Sequence, residues 1–184
     1  MQELYNLIKT PSDLLKFMQE HFTYGYIDKH NNSHLEFDQS WIDDYQLQIK
    51  EDMLNSKVGC CFDAAEFERS WFLLHGYDIK TIFEMVKLDY VNNYSMHTFL
   101  LYFKEDKYYY FEWADGSNAG IYEFATLDAA LEYSYDLYLK FLKNQNITLE
   151  ETKKIIRTMY DEPRKRYGAV SYLKFVQSGY QIKR

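Results

Sequence analysis

Three residues of complementary chemistry follow one another along the chain: Cys61, His97 and Glu112. Cys61 and its neighbour Cys60 are the only cysteines. They stand where a polar loop, Asn55-Ser56-Lys57, gives way to a long apolar run. A cysteine at the start of a helix faces unpaired backbone N–H groups and the positive end of the helix dipole. Both favour the thiolate, which is the nucleophilic form. His97 opens a strand-like run and Glu112 lies inside the next one. A thiol, an imidazole to take its proton and a carboxylate to orient the imidazole form the set needed for nucleophilic acyl transfer. Each residue alone has a plainer reading. A buried free cysteine is usually inert, a histidine in an aromatic strand is usually a satisfied core residue, and a strand glutamate usually faces solvent. Order and placement together carry the chemistry.

The elements that must position these residues are legible in part. Residues 61–75 read as a helix that stops at Gly76, a C-cap residue in the expected place. Its apolar residues cover more than one stripe, so it is expected to be largely buried. Residues 78–88, 96–104 and 107–113 are rich in aromatic and β-branched types and read as strands. The turn between the last two centres on Glu105-Asp106. A loop of two or four residues pairs Phe99 with Glu112, so His97 and Glu112 share a face as diagonal neighbours. A three-residue loop flips Glu112 to the other face and makes Asp115 the partner of the histidine.

Elsewhere, Ser12-Asp13 caps a helix running to about 21, and 22–27 is strand-like. Residues 28–33 form a polar turn flanked by His30 and His34, read as exposed loop histidines with no third ligand for a metal. Residues 41–54 are helical in pieces, and 121–124 form a short strand. Thr126 or Asp128 starts a helix to about 142, another follows Thr148, and a last covers 169–177. His75 reads as a capping residue, and Cys60 as a buried small one.

At 184 residues the chain is expected to form a single domain of α+β class, its core over about 22–135 and a helical C-terminal extension over about 136–184. Aromatic residues reach 19%, with 19 Tyr, so many tyrosines must pack their rings while their hydroxyls find partners. The net charge of −7 argues against nucleic acid as partner. The one dense basic cluster, Arg164-Lys165-Arg166, reads as a solvated face. No basic-then-apolar leader and no long apolar run are found, so a cytoplasmic protein with no membrane span is expected. Free thiols suit that compartment.

The chain resembles the transglutaminase-like cysteine enzymes of the papain-like superfamily. The likeness rests on Gly59-Cys60-Cys61-Phe62-Asp63, His97-Thr98-Phe99-Leu100 and Tyr110-Phe111-Glu112. Tyr24-Gly25-Tyr26-Ile27-Asp28, Glu66-Phe67-Glu68-Arg69 and Gly120-Ile121-Tyr122-Glu123-Phe124 are similar to an uncharacterised bacterial subgroup. The family places a Gly-x-Cys at a helix start, a histidine opening a strand and an acid on the next strand. The acid is normally Asp, and Glu112 departs from that. The resemblance covers roughly 22–135. It implies an antiparallel sheet packed on the cysteine helix. It also implies a Cys61-His97-Glu112 triad that forms a thioester from a peptide or protein amide. Water as second acceptor gives a peptidase or deamidase, and an amine gives a transglutaminase. The Cys61 N–H is one oxyanion donor, and Tyr26, Gln46 or Asn55 is the second. No metal or organic cofactor is implied. The alternative is a catalytically silent module that binds a peptide or glycan through its aromatic surplus.

Overall fold

The turn that decides the register of the site is Glu105-Asp106. Both residues are left-handed, with φ of 52° and 60°. That pair of conformations matches the right-handed twist of the strands in a two-residue hairpin. Lys104 is therefore opposite Lys107 and Leu100 opposite Phe111, the register that sets Phe99 against Glu112. The three-residue alternative is excluded, and Glu112 shares a face with His97.

The computed structural model describes residues 5, 7–38, 41–49, 51–87, 94–148, 150 and 155–182. In chain order the elements are helix α1 (Pro11–His21), strands β1 (Thr23–Tyr24), β2 (Tyr26–Ile27) and β3 (Ser33–His34), and the short helices α2 (Trp41–Asp44) and α3 (Asp52–Ser56). Strand β4 (Val58–Gly59) and helix α4 (Cys61–Leu74) follow, then β5 (Asp78–Lys87), β6 (Tyr94–Lys104), β7 (Lys107–Glu112) and β8 (Gly120–Phe124). Helix α5 (Leu127–Asn144), β9 (Ile156–Tyr160), helix α6 (Ala169–Gln177) and β10 (Tyr180–Gln181) complete the fold.

The class is mixed α+β around a six-stranded sheet in the order β10-β9-β5-β6-β7-β8, every neighbouring pair antiparallel. Side chains alternate across a strand, so the sheet has two covered faces. On one, Leu100, Tyr102 and Phe111 pack against Phe67, Trp71 and Phe72 of α4, and Phe83 and Tyr160 meet Tyr172 and Leu173 of α6. On the other, Ile82, Phe99, Leu101 and Tyr110 pack against Ala130 and Leu131 of α5. Gly76, with φ of 77°, ends α4 in the conformation that glycine adopts most readily.

Two expectations are revised. The C-terminal part is not all helical, because β9 and β10 extend the sheet at its β5 edge. The segment hid its strand character by burying Arg157 and Thr158, two polar residues on opposite faces. Arg157 is neutralised by Glu84 on β5, and the Thr158 hydroxyl donates to the Val176 carbonyl. The helix expected after Thr148 falls mainly on residues outside those described. The cap of α1 is also two positions earlier than expected. Thr10 Oγ1 accepts from Asp13 N at 3.1 Å while Asp13 Oδ2 accepts from Thr10 N at 3.0 Å, a reciprocal capping box. Thr10→Ala is expected to cost about 1 kcal/mol, read as a lowered urea midpoint with unchanged slope.

Candidate active site

The position of Cys61 is built by a tight turn. Strand β1 runs parallel to β4, with Thr23 opposite Val58 and Tyr24 opposite Gly59. A Cβ on Gly59 would lie 2.9 Å from Met53 Cε and 3.0 Å from Asp63 Cβ, so only glycine passes here without displacing neighbours. Asp63, 0% exposed, clamps the helix start. Its Oδ2 accepts the Cys60 N–H at 2.9 Å, and its Oδ1 accepts the Gln48 N–H and the Tyr45 hydroxyl, each at 2.8 Å. Burial nevertheless pushes this carboxyl up to about 6, against the pull of those donors.

Cys61 begins α4 and is buried beside four polar groups. Its thiol is pulled down to about 5. The largest cause is a hydrogen bond from Cys60, opposed by burial and reinforced by the His97 ring, its charge and the Thr98 N–H. Cys60 itself is driven up, first by burial and then by its bond to Cys61. Cys60 is thus buried as expected, but its thiol is a donor to the neighbouring sulfur rather than a mere filler.

His97 Nε2 lies 2.6 Å from Glu112 Oε2. That leaves Nδ1 as the nitrogen available to the Cys61 thiol, with which the ring is hydrogen-bonded. Burial alone would lower the imidazole, but the Glu112 charge and the bonds to both partners raise it well above its ordinary value. Glu112 is 2% exposed and also accepts the Tyr110 hydroxyl at 2.7 Å and the Asp115 N–H at 2.8 Å. Burial works to raise it, and His97 and the other donors prevail to hold it below the usual carboxylate range. Asp115, the alternative partner, instead accepts from Ser117 N and Asn118 Nδ2 in its own turn.

The three sequence-predicted residues therefore come together, by a route the sequence does not show. His97 and Glu112 lie on the α5 face of the sheet, whereas α4 covers the opposite face. Pairing between β6 and β7 stops near Phe111 and Glu112, so the β6 edge beside Thr98 is open. The Thr98 N–H on that edge is one of the groups that pull the Cys61 thiol down. Meeting at an edge lets a helix on one face serve an imidazole on the other.

Tyr24 is the residue that sequence reasoning missed. The residue is 44% exposed, yet its hydroxyl lies close enough to Cys61 for the sulfur to act on it. Burial, then the charges of Cys61, Cys60 and Glu112, drive that hydroxyl well up, so it remains a donor. Of the donors considered from sequence, Gln46 and Asn55 line a separate cavity with Arg166, and the Tyr26 ring stacks on His34 at 4.6 Å. Glu68, one helical turn below Ala65 on the same side as Cys61, is 2% exposed. Burial, then the charge of Glu112, raises it well above the usual carboxylate range.

The remaining histidines stand apart. His75 Nδ1 donates to the Trp71 carbonyl at 2.8 Å, the capping role expected of it. His30 is exposed, but His34 is half-buried in β3, with Nε2 at 3.0 Å from Asp28 Oδ2. No cluster of three metal-ligating side chains occurs among the described residues. Among them, too, no helix is long and apolar enough to cross a membrane.

A cavity of about 220 Å³ opens on the Cys61 side, walled by Tyr24, Phe37, Trp41, Phe62, Met96 and Phe141. The arrangement is a hydrogen-bonded series of thiol, imidazole and carboxylate with an apolar, aromatic opening at the sulfur. Comparison with known proteins returns no matching family model, no matching curated protein and no matching solved structure.

Proposed function

We propose that the protein is a transglutaminase-like cysteine enzyme that transfers acyl groups from peptide or protein amides. The observation that carries this reading is the 2.6 Å bond from His97 Nε2 to Glu112. It fixes the tautomer that leaves Nδ1 to face the Cys61 sulfur. In the proposed reaction the Cys61 thiolate attacks the amide carbonyl and the His97 imidazolium protonates the leaving amine. Glu112 holds the ring and stabilises its charge. The oxyanion meets the Cys61 N–H at the start of α4, and in this reading the Tyr24 hydroxyl is the second donor. The thioester is then resolved by water or an amine.

The second reading, a silent binding module, draws on the 5% exposure of Cys61 and on the aromatic lip formed by Tyr24, Phe37 and Trp41. Alkylation separates the two. With the thiol pulled down to about 5, Cys61 is ionised above that pH. Its reaction with iodoacetamide should be nearly flat from pH 6 to 8, while Cys60 labels slowly. In His97→Ala the thiol keeps the help of Cys60 and the Thr98 N–H but loses the imidazole and its charge, so it is expected to rise part of the way toward the free value of about 8.5, and the rate should climb over the same range. A full return would cut the thiolate fraction at pH 6 by about 300-fold and the rate by about tenfold, since the more basic sulfur is intrinsically more nucleophilic; the partial rise gives a smaller loss. The slope of the profile is therefore the sharper readout. Equal, slow labelling of both cysteines, with one pH profile in both proteins, would overturn the enzyme reading.

A further inference from the structure

A second cavity, of about 200 Å³, lies on the His97 side of the site, and Glu84, one of its lining residues, carries a buried oxygen without a partner among the described residues. Glu84 sits on β5 directly across from His97 and is 1% exposed. Its Oε1 takes Arg157 Nε at 2.7 Å and Nη2 at 2.6 Å. Among the described residues its Oε2 has no hydrogen-bond partner. Arg157 does not turn to meet it, because Nη2 is also held by the Leu131 carbonyl and Ser134 Oγ at 2.8 and 2.9 Å. A buried carboxylate oxygen left in this way is costly, and native folds seldom tolerate one without a ligand or a water.

The surroundings say what that ligand is. Met96, Leu137 and Phe141 give the cavity apolar walls, and Asp115 stands on its lining. Of the ionisable residues on its lining, Glu84 is paired with Arg157 and His97 with Glu112, which leaves the Asp115 carboxylate unbalanced before the thiolate is counted. The excess is negative, so a cation complements the cavity and a carboxylate does not. His97, which delivers the proton to the leaving amine in the proposed reaction, borders this cavity.

We infer that the cavity takes an alkylammonium chain on the amine side of the scissile bond, with Glu84 Oε2 accepting from its N–H and the apolar walls covering its methylenes. The placement on the amine side rests on the acyl-transfer reading; binding of the cation does not. The ammonium has two possible sources. It is the amine that resolves the thioester, or it is the side chain of a basic residue just beyond the scissile bond. In the first case the bound ammonium first gives one proton to solvent; the free amine then gives a second proton to His97 as its nitrogen forms a C–N bond, the C–S bond breaks and the Cys61 thiolate departs.

Binding is tested without catalysis, in the Cys61→Ala protein, by NMR titration with n-butylammonium, 1-butanol and butyrate. Butylammonium should bind at least about tenfold tighter than either. Glu84→Gln should remove that preference. Leu137→Trp, which fills the cavity and leaves the Glu84–Arg157 pair intact, should remove binding of butylammonium and butanol alike. Equal affinity for ammonium and alcohol, or a preference that survives both substitutions, would overturn the inference. The source is then read in the wild type acylated with 4-nitrophenyl acetate. Formation of N-butylacetamide assigns the ammonium to the resolving amine. Competitive slowing of hydrolysis without that product assigns it to a substrate side chain. Neither effect at a concentration that saturates the cavity would also overturn the inference. No ester turnover, with butylammonium binding retained, would instead overturn the acyl-transfer reading and leave the cavity assigned.

Discussion

Glutamine in place of Glu112 is expected to lower turnover of an activated amide by about 10⁴-fold with the fold intact. Glu112 serves three donors: His97 and Tyr110 at Oε2, and the Asp115 N–H at Oε1. Glutamine has one oxygen to offer. The Asp115 N–H is a fixed backbone donor and must receive it. The Tyr110 hydroxyl can rotate to accept. The amide nitrogen then faces His97 Nε2, which can meet it only as an unprotonated acceptor. The imidazole is forced into the tautomer with its proton on Nδ1, pointing at the sulfur. A ring in that state cannot take the thiol proton, and no imidazolium forms to hold the thiolate. The alkylation profile of Cys61 should shift to higher pH together with the loss of turnover. Loss of turnover with the wild-type profile retained would show that Glu112 acts on something other than the His97 proton. An unchanged profile and unchanged rate would remove Glu112 from the proposed mechanism altogether.

Much of this arrangement was legible because short-range rules govern it. The runs at 96–104 and 107–113 favoured an even loop over a three-residue one, and with an even loop parity puts His97 and Glu112 on one face. The glycine at 76 marked the end of α4, and the loop before Cys61 marked its start. What could not be read depends on pairings between distant segments. Tyr24 reaches the thiol through a two-residue parallel ladder with Val58 and Gly59, far too short to leave a periodic pattern. The crossing of Cys61 to the open edge of β6 follows from where β7 ends in space. Strand β9 was obscured because Arg157 and Thr158 look solvated until Glu84 and Val176 are brought to them. In the sequence His34 reads as an exposed loop residue, because nothing local announces its stacking on Tyr26 or its bond to Asp28.

Asp63 is the clearest case of a local residue with a distant purpose, and its removal should have the largest effect on stability. Asp63→Ala leaves the N–H groups of Gln48 and Cys60 and the Tyr45 hydroxyl without their acceptor in a buried region. Each orphaned donor costs about 1–3 kcal/mol, and loss of a buried carboxylate with its own desolvation cost offsets part of the sum. A net loss of about 3–5 kcal/mol is expected in urea unfolding. The same clamp ties the turn before Cys61 to the segment at 45–48, where Gln48 Nε2 further donates to the Val58 carbonyl at 2.7 Å. Freed of it, the Cys60-Cys61 peptide loses its fixed relation to the open edge of β6. The thiol then departs from His97 and Thr98, and the difference in alkylation rate between Cys60 and Cys61 should narrow even in molecules that remain folded. Asp63→Asn separates the two effects. Its oxygen can keep the Gln48 and Tyr45 bonds, while its amide nitrogen opposes the Cys60 N–H. The asparagine variant should therefore recover much of the stability and little of the cysteine selectivity. Recovery of both would mean that the turn is held by packing against Met53 and Phe62 and that the carboxylate contributes stability alone.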